Sequence, residues 1–140
     1  MSLDAYRRSQ AATESPRETE YRLFAQVTAA MIEARDKGYT GAKLMESLDW
    51  NRRLWSALAV DCANPDNQLP EQTRAQIISL SIYVSKTVSE VMLGRASIDD
   101  LIAINRIIME GLTAAANQQS LPPEKPAGEA ALPSGGITVE

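Results

Sequence analysis

The placement of proline constrains this chain most. Four of its seven prolines fall within residues 118–140, which read QQSLPPEKPAGEAALPSGGITVE. The other three are Pro16, Pro65 and Pro70, each at a point where a helix can begin or the chain can turn. Proline lacks a backbone N–H and clashes inside a helix, but it suits the first helical turn and loops. Between these points apolar residues recur at helical spacing. The pattern predicts an all-α fold, a small helical bundle of about five helices over residues 1–117, with a disordered Pro-rich C-terminal tail over 118–140. The tail is too poor in large apolar residues to offset its ordering entropy. Its one candidate docking motif is Ile137-Thr138-Val139.

The caps sharpen the helical reading. A short first helix is expected from about Leu3 to Ala12. Ser15-Pro16-Arg17-Glu18 then combines an N-cap serine, a first-turn proline and a glutamate placed to complete a capping box. That helix is expected to run to about Lys37 and to close at Gly38. Its apolar row is Leu23, Val27, Ala30 and Ala34, widened by Phe24 and Met31. Thr40 opens the third helical region, where Leu44, Leu48, Trp55, Leu58, Ala59 and Cys62 share a face. Asp49 is a candidate internal cap, so this region is read as either one helix or two.

Asn64-Pro65-Asp66-Asn67 is a turn cluster. Pro70 and Glu71 start the next helix, which runs to about Leu93 before Gly94. Its stripe is Ile77, Leu80, Val84, Val88 and Val91, and Ile78, Ile82 and Leu93 broaden it past half the circumference. So wide an apolar arc predicts a central helix packed on several sides. Ser97-Ile98-Asp99-Asp100 caps the last helix, whose core stripe is Ile98, Leu101, Ile102, Ile108, Met109 and Leu112. Ile104 and Ile107 fall on the opposite side.

Composition removes several function classes. A chain of 140 residues forms one domain at most. The net charge of -4 argues against direct nucleic-acid binding, which needs a basic face. There is no histidine, and no Walker loop, GxGxxG or Cys-Cys metal spacing occurs. The expectation is therefore a non-enzymatic protein with no cofactor, no metal site and no catalytic residue. The single cysteine excludes an internal disulfide, and Cys62 reads as a small buried hydrophobe. The N-terminus has no apolar signal region, and no run reaches the roughly 20 residues of a membrane span. A cytoplasmic location with no membrane association is expected.

Two groups stand out as candidate partner-binding residues. The first is Trp50 with Arg52 and Arg53, within Asn51-Arg52-Arg53-Leu54-Trp55. Tryptophan beside arginine is the residue mixture enriched at binding hot spots. The competing reading leaves the arginines solvated or paired with Glu46 or Asp49. Trp55 projects onto the apolar row, and Asn51 points to the same side, where a buried amide must find a partner. The second group is Ile104 and Ile107. They either pack on the first helix through Leu3 and Tyr6 or line a groove for another protein's amphipathic helix.

SPRETEYRLF at 15–24, WNRRLW at 50–55, LP at 69–70 with RAQIISLSIYV at 74–84, and AYRRS at 5–9 together resemble the flagellar protein FlaF family of alphaproteobacteria. The resemblance covers roughly residues 1–116 and leaves the Pro-rich tail outside. It implies a protein of flagellum biogenesis that binds flagellin as a cytoplasmic secretion chaperone. It also implies positive regulation of flagellin synthesis and export, with a functional link to the opposing regulator FlbT. Two alternatives remain: an RNA-binding translational regulator using Arg52, Arg53 and Trp50, or a helical oligomeric scaffold joined through Ile104 and Ile107.

Overall fold

The computed structural model describes residues 2–5 and 15–120. Among these the chain is helical, with no strand. Helix α1 enters the description at residues 3–5. The remainder of its expected span, and the tail from residue 121 onward, lie outside the described residues. Four long helices follow: α2 (Pro16–Asp36), α3 (Gly41–Ala63), α4 (Glu71–Met92) and α5 (Ile98–Ser120). Helix α5 thus continues past Asn117, where the sequence placed the end of the folded domain. Its last turn is built from Gln118, Gln119 and Ser120, which carry none of the tail's prolines.

The ends of the helices follow from their capping chemistry. Ser15 Oγ accepts from the Glu18 N–H at 3.2 Å, and the Ser15 N–H donates to Glu18 Oε1 at 2.9 Å, completing the capping box. Helix α2 stops because Gly38 adopts φ +66°, which lets the Tyr39 N–H return to the Ala34 carbonyl at 2.9 Å. Gly94, at φ +73°, ends α4 in the same manner, with the Arg95 N–H on the Glu90 carbonyl at 2.8 Å. Thr40 occupies the N-cap position of α3 but makes no side-chain capping bond. Helix α3 is continuous. Asp49 caps nothing within it and binds arginines instead.

The short connections make successive helices neighbours. Helix α2 packs on α3 and α5, and α3 packs extensively on α4. Of the four helix pairs that pack side by side, α4–α5 is the least closely packed. The core holds Phe24, Val27 and Met31 of α2, Leu48, Trp55 and Leu58 of α3, Ile77, Val84 and Val88 of α4, and Leu101, Ile102 and Leu112 of α5. Phe24 meets Trp55 edge to face, with ring centroids 5.4 Å apart. Cys62 is buried among these residues, and burial raises its thiol above the ordinary range. In α2 the buried stripe runs through Phe24 and Met31, while Leu23 and Ala30 are half-buried at its edge.

A polar node lies inside this core. Asn105, fully buried, accepts from Trp55 Nε1 at 2.8 Å. Its amide nitrogen donates to Asn51 Oδ1 at 2.8 Å and to Thr28 Oγ1 at 3.0 Å. Thr28 in turn donates to the Phe24 carbonyl at 2.6 Å. One side chain of α5 therefore ties α2 and α3 together. Helix α4 joins from one side only, through Ser81 Oγ donating to the Trp55 carbonyl at 3.3 Å.

Helix α4 is not the central helix its apolar arc suggested. Its inward positions include Ser81 and Thr87, and Ile82, Tyr83 and Leu93 are exposed at 56%, 50% and 62%. Width of the arc reflects surface left uncovered rather than neighbours on every side. On the surface, Asp99 bonds Arg35 at 2.7 Å and so links α5 to α2.

Two outcomes follow. Replacing Asn105 with Ala strands Trp55 Nε1 and Asn51 Oδ1 without partners, and each buried orphan costs about 1–3 kcal/mol. Urea unfolding is expected to show a loss on the order of 2–5 kcal/mol. Trp55→Phe orphans the Asn105 oxygen and also leaves a cavity in the core, so it too is expected to destabilise. Acid is expected to destabilise the fold. Four carboxyls are held below their ordinary range: Asp99 by the bond from Arg35, Asp49 by the bond from Arg52, Glu33 by the Tyr39 hydroxyl, and Glu18 by the Ser15 N–H. A carboxyl depressed in the folded state stabilises above its unfolded pKa and loses that contribution as pH falls through its folded one. Glu20, raised by burial, acts with the opposite sign and partly offsets them. Melting temperatures should therefore fall once pH drops below about 4. Asp99→Asn should flatten part of that acid limb.

Candidate partner-binding site

The Trp50–Arg53 group sits on the outer face of α3. Trp50 is at the border of exposure, whereas Trp55, five residues on, is fully buried. Both arginines converge on one carboxylate: Arg52 pairs with Asp49, and Arg53 Nε lies 3.0 Å from the other Asp49 oxygen. This is the local acid pairing the sequence offered for them. It leaves the group with one net positive charge, and with Arg53 68% exposed. The tryptophan, the arginines and their acid form a half-solvated polar patch.

Ile104 and Ile107 separate in the structure. Ile104 is partly buried against the core, so it does not stand opposite the stripe as its spacing suggested. Ile107 is 65% exposed. Leu3, one of the residues expected to cover them, is itself 62% exposed, and Tyr6 lies outside the described residues. Ile107 instead forms one rim of a groove between α4 and α5.

That groove lies where α4 and α5 pack least closely. Its α4 wall is Thr73, Gln76, Ile77 and Leu80, with Leu69 at the mouth. Its α5 wall is Ile107, Ile108, Gly111 and Leu112. Ile77, Ile108 and Leu112 make a buried floor, and Ile107 and Gln76 stand exposed at the edges. The volume is about 210 Å³. This is below the roughly 300–1,000 Å³ typical of small-molecule pockets, and it suits side chains inserted from another helix. From Thr73 to Leu80 the wall is about 10 Å long, near two helical turns.

Gly111 shapes the groove. Glycine inside a helix costs about 1 kcal/mol relative to alanine. A Cβ built at Gly111 meets nothing within 4 Å, so packing inside the bundle does not require glycine there. Its effect is a notch in the α5 wall. A shallower depression bounded by Gln72, Ala75 and Ser79 shares Gln76 and Leu80 with the groove and carries it onto the outer face of α4. No charged residue lines either hollow.

Of the five residues singled out from sequence, the structure brings only Ile107 to this groove. Trp50, Arg52 and Arg53 line no part of it. The groove's other residues were legible only as core or as plain helix. Gly111 was the available signal, a glycine inside an apolar helical run. Among the described residues no cluster of three or more Cys, Asp or Glu is placed to hold a metal ion. None of the described helices is long and apolar enough to cross a membrane.

The family model for flagellar protein FlaF matches residues 2–112. No curated protein and no solved structure matches the chain. The matched stretch takes in α2, α3, α4 and every residue of the groove, whose last member is Leu112. A match over 111 of 140 residues places the chain in the FlaF family of flagellar proteins.

Proposed function

We propose that this FlaF-family protein is a non-enzymatic cytoplasmic secretion chaperone that binds flagellin and positively regulates its synthesis and export. The observation that carries the reading is the open apolar groove between α4 and α5, the least closely packed of the four side-by-side helix pairs. An amphipathic helix laid into an apolar groove is a recurring recognition mode. Unassembled flagellin presents amphipathic terminal segments, and covering one of them would keep the subunit from aggregating before export. Occupancy of the chaperone then reports how much flagellin awaits assembly, which is the signal a regulator working against FlbT requires.

The RNA-binding alternative draws on Arg52, Arg53 and Trp50. Asp49 neutralises half of that arginine charge, and a phosphate-reading surface gains its affinity from free cations. The scaffold alternative through Ile104 and Ile107 loses one of its two contact residues to the core.

The test is a titration of the purified chain with full-length flagellin and with flagellin truncated at either terminus. The full-length pair is expected to associate at about micromolar concentration, near -8 kcal/mol, and one truncation to abolish binding. No association of the full-length pair would overturn the proposal. Trp50→Ala is expected to leave the affinity unchanged within about twofold, and a gel shift with flagellin message should show no salt-dependent complex.

A further inference from the structure

The groove is neutral in a chain where 23% of residues are charged. Its walls offer aliphatic carbons, the Thr73 hydroxyl and the Gln76 amide. The adjoining depression adds Gln72 and Ser79 and again no charge. Residues 75–84 contain no charged side chain at all. A charged group pressed into such a surface loses its hydration and finds no counter-ion, which is strongly unfavourable. Neutral polar groups can exchange hydrogen bonds with glutamine, serine and threonine instead.

Gly111 adds a position to this chemistry. With no Cβ and open space above it, it leaves a notch between Ile107 and Leu112 on the α5 wall. We infer that the α4–α5 groove accepts a partner helix whose contacting face is uncharged, about two turns long, and anchored by one large aliphatic side chain seated over Gly111. The identity of the helix donor as flagellin rests on the proposed function. The charge-free face and the Gly111 anchor do not.

Two features follow for the complex. Its affinity is set by apolar burial and neutral hydrogen bonds, so it is insensitive to ionic strength. Side chains larger than alanine at position 111 occupy the notch and compete with the anchor.

The test uses the full chain with two kinds of probe, flagellin and synthetic amphipathic peptides of about 18 residues, or five turns. The peptides share one leucine-lined face. In one the flanking contact positions are Gln and Ser, and in another they are Glu or Lys. The neutral peptide is expected to bind, and the charged ones to bind at least about tenfold more weakly. Gly111→Leu should weaken the neutral peptide by about tenfold or more, while Gly111→Ala changes it by less than about threefold. Leucine and alanine both favour helix over glycine, so both variants should keep wild-type helicity and melt no lower than the parent. Raising NaCl from about 50 to about 500 mM should change the affinity by less than about twofold.

The outcomes separate the two claims. If the neutral peptide binds as described and flagellin does not, the flagellin reading fails and the groove assignment stands. If flagellin binds but is indifferent to Gly111→Leu, or its affinity falls steeply with salt, the present inference fails and the flagellin reading stands. Amide shifts around Gly111 that change on deleting residues 121–140, with no partner added, would give the groove to the chain's own tail and overturn it. Self-association abolished by Gly111→Leu would give the groove to a second copy and overturn it equally.

Discussion

The architecture depends on one amide. Asn105 is fully buried, and both ends of its side chain are used: the oxygen by Trp55, the nitrogen by Asn51 and Thr28. A buried amide is costly unless satisfied, and its bonds strengthen in a low-dielectric interior. Sliding α5 along α2 or α3 by one turn would break all three bonds at once. An all-aliphatic core of leucines and isoleucines would tolerate such slips far better. The node is not perfectly closed. Among the described residues nothing accepts from the Asn51 amide nitrogen. That residual cost lies where the core is otherwise filled by Phe24 and Trp55.

What this node leaves out matters as much as what it holds. It unites α2, α3 and α5, whereas α4 is held mainly by α3, through apolar packing, the Ser81 bond to the Trp55 carbonyl and the Arg74 bond to the Cys62 carbonyl. Small polar residues at Ser81 and Thr87 let α4 lie close to its neighbour but give it little with which to grip α5. The groove therefore follows from the distribution of side chains. One wall belongs to the helix that carries the buried node and the other to a helix held mainly by α3.

The fold was largely legible in the sequence because its signals are local. The Ser15–Glu18 capping box, the glycine stops at 38 and 94, and the turn around Pro65 act within a few residues, and each operates as its chemistry dictates. The misread features were tertiary. The apolar arc of α4 was taken to mean a central helix, but periodicity reports which faces are apolar and says nothing of whether a neighbour covers them. Asn51 was expected to seek a partner, yet its partner Asn105 lies 54 residues away in a helix where asparagine gave no warning. The structure separates the residues proposed for partner binding. Trp50, Arg52 and Arg53 looked conspicuous by residue type, and Asp49 absorbs much of their charge. Ile107 was placed outward by helical geometry alone, and it lies at the groove.

Core and groove solve opposite problems with similar residues. In the core, polar groups are few and committed to fixed partners, which sets a unique register. Along the groove, Thr73, Gln76 and their neighbours Gln72 and Ser79 stand beside apolar floor residues with hydrogen-bonding capacity to spare. Such a surface discriminates by exclusion. Many apolar helices fit its floor, and those bringing a charge to the contact are rejected because nothing in the groove can neutralise it. The chain's net negative charge lies outside the groove, whose lining carries no charged residue. A helix docked there as proposed would be selected by the pattern of its apolar face, which an unassembled helical segment displays and an assembled one hides.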